Sequence, residues 1–399
     1  MTGPPRGASQ GVGDRPAASS SSRPGEPRSG PRTPDPGPPS FLTLGIETSC
    51  DETAVAVLDG DGTVRCNLVS SQTAAHAPFL GVVPELAARH HLEALRPLLA
   101  EADRVAELAG VELVTVTRGP GLIGSLLVGT CFASAYAYAR GLPIVGVDHL
   151  EGHLVSPFLS LAGAPAREAP DPTLALVVSG GHSSFFLLAG GDVRPLNRTR
   201  DDAAGEVFDK LAAALGLGYP GGPVVDRLAA AGDPDAFRFS VPRIKDPAGS
   251  LDYSFSGLKT AAIRRAGELT ELPLADPGQP SQAVLDLLAS FRRTVVDWLL
   301  SPLDELVARH RPRAVAASGG VAANLELRHR LTSWGEQVGI EVVLPPVALT
   351  TDNAAMIARA GQLRARRGCF DDALSLRAYP RAPWKGGADA KGRPVFPRL

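Results

Sequence analysis

A chain of 399 residues is long enough for about two domains at the usual ~100–200 residues each. Hydrophobic residues at 44% and charged residues at 21% are the balance of an ordinary globular protein, which excludes a chain disordered throughout. The formal net charge of −2 excludes a large sequence-independent attraction to nucleic acid, so any RNA contact must rest on a local basic patch or a partner. The four cysteines, Cys50, Cys66, Cys131 and Cys369, form no C-x-x-C pair. That spacing argues against a disulfide framework or a cysteine zinc site and fits a reducing, cytoplasmic setting. No apolar run reaches the ~18 residues that a membrane span requires.

Residues 1–40 are mostly Gly, Pro, Ser and Arg, without Leu, Ile, Phe or Trp, and hold no material for a core, so they are expected to form a flexible tail. Ordered chain begins with Leu42 to Asp59, which reads as an apolar strand, a polar turn (Glu47-Thr48-Ser49-Cys50-Asp51-Glu52) and a second apolar strand. Leu113 to Thr117 is a strand that runs into Gly119-Pro120-Gly121 and an apolar helix to about Ala139. The short strand Ile144 to Val147 follows, and Asp148 can cap the helix after it. His149 and His153 sit four residues apart on that helix, so both imidazoles project from one face. Such a pair is either two polar-face residues or two ligands of a shared metal.

A Pro- and Ala-rich linker at about 160–172 separates this half from a second one with the same plan. Leu174 to Leu188 is again strand, turn (Ser179-Gly180-Gly181-His182) and strand. Ala314 to Ala317 runs into Gly319-Gly320 and a helix expected from Val321. Asp201 and Asp202 are expected to open the helix that carries Asp209. Glycines at such turns let the backbone approach a ligand, and helix N-termini offer free N–H groups to an anion. Two such turns per half point to two related α/β domains around a phosphate-binding cleft. The first would span 41–165 and be completed by 349–378, because the stretch from Thr350 to Gly361 is expected to return to it. The second would span 166–348, with 379–399 a loose C-terminal tail.

The run Gly45-Ile46-Glu47-Thr48-Ser49-Cys50-Asp51-Glu52-Thr53 resembles the opening motif of the TsaD family, the tRNA threonylcarbamoyladenosine synthases once called O-sialoglycoprotein endopeptidases. The resemblance continues through Gly81 to Ala87, Gly119 to Leu122, His149 to His153, Val178 to His182, Asp201 to Lys210 and Tyr219 to Pro223. It ends with Ser254 to Thr260, Gly319 to Asn324 and Thr351 to Ile357, so that it covers nearly all of 42–376 in order. It departs in small ways, with Asp148 where some relatives have His or Asn, Ser183 where many have Thr, and Leu325 where Arg or Ser is frequent.

The resemblance implies an actin-like fold of the sugar kinase, Hsp70 and actin superfamily. It also implies transfer of a threonylcarbamoyl group from threonylcarbamoyl-AMP to N6 of adenosine 37 in tRNAs reading ANN codons. It makes His149 and His153 ligands of one divalent metal with Asp352 as the third, iron(II) by family habit and zinc as the alternative. Two imidazoles and one carboxylate leave coordination positions open for substrate. Val177, Val178, Ser179, Gly180 and Gly181 are implied to bind substrate, as are Asp209, Gly222, Asp226 and Asn324. Their plainer roles would be helix surface for the two aspartates and capping for Asn324. Asp51 and Glu52 are candidates to accept the amine proton, or else form a solvated turn. Ser256 and Lys259 are a helix cap and an exposed cation, or part of the substrate domain. The partners implied are tRNA, a smaller TsaB-like paralogue and a small TsaE-like ATPase.

The older peptidase name meets a physical objection. In H-E-x-x-H proteases the glutamate directly follows the first histidine and serves as general base. Here Glu151 is two positions after His149, ~200° around the helix, and faces away. Two competing classes remain, an actin-like small-molecule kinase and a non-catalytic paralogue that serves as a scaffold. The kinase has no need of a two-histidine, one-aspartate set, and the scaffold would lack it. Because residues 1–40 offer neither core nor motif, deleting them is expected to leave melting temperature and transferase activity near wild type; thermal unfolding of the shortened chain checks this.

Overall fold

Strands buried on both faces need continuous apolarity rather than alternation, and two runs of that kind anchor the two halves. In the first, β1 (Thr43–Glu47) and β2 (Glu52–Leu58) pair antiparallel from Thr43 opposite Leu58 to Glu47 opposite Ala54, and every residue of β1 is buried. The edge strand β3 (Val64–Ser71) follows antiparallel to β2. A single turn, α1 (Thr73–His76), leads to α2 (Pro84–Ala106), which starts on a proline whose missing N–H costs nothing at that position. This helix supplies the crossover that a parallel partner requires, and β4 (Leu113–Gly119) lies parallel to β1 on its other side. A second crossover, α3 (Ile123–Arg140), leads to β5 (Ile144–Asp148). The sheet order is β3-β2-β1-β4-β5, and α4 (His149–Val155) leaves its last strand directly.

The computed structural model describes residues 1–3, 40–161, 163–241, 244 and 251–381. The expected tail at 1–40 lies outside the described residues apart from its two ends, as does the chain beyond Arg381.

The second half repeats the plan strand for strand. β6 (Thr173–Val178), β7 (Ser183–Ala189) and β8 (Asp192–Pro195) form the antiparallel part. The connection is longer here, through α5 (Ala204–Leu215), α6 (Gly221–Ala229), α7 (Ser256–Leu269), α8 (Gln282–Leu300) and α9 (Leu303–His310). Then β9 (Ala314–Ser318) pairs parallel to β6, and α10 (Leu325–Val338) crosses to β10 (Glu341–Val343). The order β10-β9-β6-β7-β8 is that of the first sheet, three antiparallel strands beside two parallel ones. This duplicated mixed sheet is the actin-like architecture expected from the sequence.

Two helix starts differ from the sequence expectation. The helix after Gly319-Gly320 does not begin at Val321. A 3-10 turn covers Gly320–Ala323, and Asn324 Oδ1 accepts the N–H of Leu327 at 3.0 Å, so α10 starts one residue after this cap. Nor do Asp201 and Asp202 open α5, which begins at Ala204. Asp201 Oδ1 instead accepts the N–H groups of Phe255 and Ser256, and Asp202 Oδ2 accepts Ser256 Oγ and Lys259 Nζ at 2.9 and 2.6 Å. Lys259 is therefore an ion-paired residue rather than a free cation.

The last helix, α11 (Ala354–Arg366), packs across β1, β2, β4 and β5. It lies flush because Gly361 has no side chain: a Cβ there would fall 2.2 Å from Thr115 Cγ2. One apolar cluster joins the halves, combining Ala54, Val145 and Val147 of the first sheet with Ala175, Val177, Phe186 and Ala316 of the second. Leu150, Leu154 and Val155 of α4 and Met356 and Ile357 of α11 belong to the same cluster, so α4 lies between the sheets.

The turn after β1 is held from the side by α3. A Cβ on Gly129 would fall 2.3 Å from Thr48 Oγ1, which itself donates to the Ser125 carbonyl at 2.9 Å. Gly129→Ala is expected to destabilise the protein by ~1–3 kcal/mol through overpacking, with part of the loss restored by adding Thr48→Ala. Denaturant unfolding of both variants checks the pairing.

Candidate metal centre and cleft

All seven residues of α4 are buried. Asp148 caps the helix, its Oδ1 accepting the Leu150 N–H at 2.9 Å. His149 and His153 present their rings on one face with centroids 4.7 Å apart and planes at 85°. Asp352, on the loop just before α11, reaches the same point: its Oδ1 is 3.4 Å from His149 Nε2 and 3.2 Å from His153 Nε2. The ligand atoms of the three residues lie within 4.8 Å of one another. This set can hold a metal ion.

The surroundings of the rings fit that use. His149 Nδ1 faces Glu47 Oε2 and Ser49 Oγ, each at 3.2 Å, which leaves Nε2 toward Asp352. Glu47 is itself held by the Ser49 N–H and the Thr117 hydroxyl. A carboxylate behind the ring that fixes its tautomer is the usual support of a metal-ligating histidine. His153 is wholly buried, and among the described residues neither of its ring nitrogens has a hydrogen-bond partner of sound geometry. For Nε2 this is the pattern of a lone pair aimed at a point shared with His149 and Asp352. Burial holds the His153 imidazole below its ordinary pKa, the neutral state a metal needs. Burial also opposes the charged form of His149, but Asp352 and Glu47 outweigh it and push that group well up. Asp352, raised by burial, is brought down below the usual carboxylate range by the two histidines.

Glu151 takes no part. It is wholly buried and its carboxylate lies 3.2 Å from Arg364 Nη1 of α11, on the side of α4 away from the trio. The peptidase geometry is absent, as the helical angle predicts.

The turn from Cys50 to Glu52 forms the wall beside the trio. The Cys50 carbonyl faces His91 Nε2 at 2.9 Å, and the other nitrogen of that ring faces Thr53 Oγ1 at 2.8 Å. Burial, then Asp51 and Asp352, push the Glu52 carboxyl up to about 9, and the same three causes raise the Cys50 thiol. Glu52 therefore holds a proton more readily than an ordinary carboxylate. The Tyr219 hydroxyl of the second half lies 3.4 Å from Asp51 Oδ2, joining the two halves across the cleft.

On the second half the candidate residues largely hold one another. Asp209 Oδ1 accepts the N–H groups of Gly221 and Gly222 at 2.7 and 3.4 Å, tying down the start of α6. Asp226 Oδ1 accepts Asn324 Nδ2 at 2.8 Å and Arg292 Nη1 at 3.0 Å, and its Oδ2 accepts the Leu325 N–H at 3.0 Å. Arg292 also grips Glu326 at 3.0 Å. Val177 and Val178 are wholly buried in β6, so their side chains face no ligand. Ser179 Oγ folds back on the N–H groups of Gly181 and His182. Gly180, Gly181 and Gly222 border open space, with nothing within 4 Å of where a side chain would begin. Glu47, His91, Tyr219 and Arg292 were not singled out from sequence. Glu47 and Tyr219 stand inside quoted motifs, whereas nothing local marks His91 or Arg292.

With this geometry in place, comparison with known proteins is decisive. The sequence profile of TsaD, tRNA N6-adenosine threonylcarbamoyltransferase, matches residues 63–359. The chain belongs to this family. A relative of that name from Sorangium cellulosum is 47% identical over 358 residues, covering 86% of this chain and 98% of the relative. Another from Moorella thermoacetica is 46% identical over 343 residues, 85% of this chain and 96% of the relative. The family is one of transferases acting on tRNA. Among solved structures, T. kodakarensis HypF is similar with a TM-score of 0.53 at 15% identity, over 82% of this chain and 48% of that one. A full-length HypF structure gives 0.51 at 12% identity, over 83% of this chain and 57% of that one. The chain spans only about half of those HypF proteins, and at such identity the likeness is one of fold alone. Among the described residues no helix is long and apolar enough to cross a membrane.

Removing one of three ligands should lower bound metal without unfolding the chain. His149→Ala and Asp352→Ala are expected to lose metal together with activity, while Glu151→Gln keeps its metal. Elemental analysis of the three variants, with full occupancy in both ligand variants as the adverse result, checks the assignment.

Proposed function

We propose that the chain transfers the threonylcarbamoyl group from threonylcarbamoyl-AMP to N6 of adenosine 37 in tRNAs that read ANN codons. Family membership supports the reaction, and the observation that carries the site is the meeting of His149, His153 and Asp352 within 4.8 Å beside the cleft. These three would hold one divalent ion per subunit, iron(II) in preference to zinc. When bound, the ion supplies Lewis-acid stabilisation of oxygen charge that develops on the donor.

The exocyclic amine of adenosine is a weak nucleophile because its lone pair is delocalised into the ring. The adenylate compensates with a good leaving group: nitrogen attacks the carbamoyl carbon, the bond to AMP breaks, and the amine gives up a proton. The protein's task is then positioning and charge stabilisation. Of the two acids on the first wall, Asp51 is assigned as the proton acceptor, since it faces the second half through Tyr219. The nucleotide is assigned to the second half, between Ser179-Gly180-Gly181, Gly222 and the pair Asp226–Asn324, where open space adjoins the backbone. Asp209 shapes that pocket by fixing Gly221 and Gly222. The enzyme is placed in the cytoplasm, beside a TsaB-like paralogue and a TsaE-like ATPase.

The test is nucleoside mass spectrometry of tRNA incubated with the purified protein, its donor-forming enzyme and partners, threonine, bicarbonate and ATP. Threonylcarbamoyladenosine is expected. Its absence with every partner present would show the reading to be wrong. In the same assay Asn324→Ala should weaken donor binding by ~1–3 kcal/mol, as loss of a buried hydrogen-bonded group does, and an unchanged affinity would return Asn324 to a purely capping role.

A further inference from the structure

The segment from Asp371 to Pro380 is tied to β4 and to β5, the strand that leads into α4. The Asp371 N–H donates to the Ile144 carbonyl at 2.9 Å, and the Asp371 carboxylate accepts the Gly146 N–H at 2.8 Å and Arg118 Nη1 at 3.0 Å. Arg118 Nε donates onward to the Arg377 carbonyl at 3.2 Å. The Tyr379 N–H donates to the Arg118 carbonyl at 2.8 Å, and the Gly121 N–H to the Pro380 carbonyl at 3.4 Å. The chain thus covers the otherwise open edge of β5 and closes over the turn after β4. Composition alone assigns Tyr379 and Pro380 to the loose C-terminal end, yet both are hydrogen-bonded to this half.

At its end the segment meets the metal-binding helix through one side chain. The Tyr379 hydroxyl donates to Asp148 Oδ2 at 2.8 Å, while Oδ1 of the same carboxylate accepts the Leu150 N–H at 2.9 Å. Asp148 is 2% exposed, so water cannot replace either donor. Two donors on two different oxygens fix the rotation of this carboxylate, and with it the first turn of α4, whose first residue is His149. We infer that the Asp371–Pro380 segment is a strap that aims the metal-binding helix, with Tyr379 as its positioning residue acting through Asp148. This rests on the metal-site reading above. Glu47 orients the His149 ring from behind, and Tyr379 places the backbone that carries it. Ligand sites require placement within ~0.5 Å, which a carboxylate free to turn would not provide.

The test is zinc titration of the full-length chain against a chromophoric chelator, with the melting temperature recorded for each variant. Tyr379→Phe keeps the ring and removes only the donor; its zinc affinity is expected to fall about tenfold, as for other supports behind metal ligands, with little change in melting. Asp148→Ser keeps a capping oxygen but has no second oxygen to accept from the tyrosine, and carries the same expectation should Tyr379→Phe fail to fold. In the double variant the two losses should not multiply, because both remove one contact. Wild-type zinc affinity in Tyr379→Phe while His149→Ala loses zinc overturns the strap's role and leaves the metal site standing. Multiplying losses in the double variant likewise overturn it. Wild-type zinc affinity in both His149→Ala and Asp352→Ala removes the metal reading itself, whatever Tyr379 does.

Discussion

The burial of α4 between the two sheets is the constraint on which the remaining structure turns. A seven-residue helix with two histidines and a glutamate is a costly thing to remove from water, since each buried polar group without a partner costs ~1–3 kcal/mol. Most such groups on it are served by other parts of the chain. Glu47 of β1 faces His149, and Arg364 of α11 pairs with Glu151. Tyr379 and the helix's own Leu150 N–H satisfy Asp148, and the Ser318 hydroxyl of β9 donates to the His153 carbonyl. Segments far apart in sequence converge here because the helix cannot be buried without them. The His153 ring is the exception, and an electropositive ion shared with His149 and Asp352 is the partner that its geometry suits.

The duplicated fold explains why the helix lies where it does. Both sheets place β1 or β6 at the centre with a hairpin on one side and parallel strands on the other. The turn after β1 meets the second half through Asp51 and Tyr219, the latter just before α6. The supports of the second wall are internal. Asp226 spends its oxygens on Asn324, Arg292 and Leu325, and Asp209 spends one on the start of α6. Such pairs hold backbone and amide groups in place before a ligand arrives, which is the form of preorganisation that positional catalysis needs.

Much of this was legible in the sequence, for local reasons. β1, β2, β6 and β7 are continuous apolar runs bounded by polar or glycine turns, and that pattern depends on nothing distant. The i,i+4 pairing of His149 with His153 is likewise local, and so is the turning away of Glu151. The helix starts were less legible. Asp201 and Asp202 look like caps, but their carboxylates are claimed by Phe255, Ser256 and Lys259 from another segment, and α5 begins beyond them. Val321 was misplaced because Asn324 is the stronger cap and the residues before it tighten into a 3-10 turn. The parts of Glu47, Arg292 and Tyr379 could not be read at all without coordinates, since each acts on a residue far off in the chain.

The two walls of the cleft differ in electrical character, and this bears on how a charged donor would sit. Asp51, Glu52 and Asp352 crowd the first wall, closely enough that burial and these acidic neighbours push the Glu52 carboxyl up to about 9. An anion set against that wall would meet the same repulsion. Across from it, Gly180, Gly181 and Gly222 border open space, while Asp209 holds the N–H groups at the start of α6. An adenylate bound as proposed above would set its phosphate on this glycine side. Its acyl end would extend toward the carboxylates and the histidines, where a cation offsets the crowded negative charge. A cation held by His149, His153 and Asp352 would therefore do more than polarise a bond, because it would also offset the negative charge that this wall sets against an anionic donor.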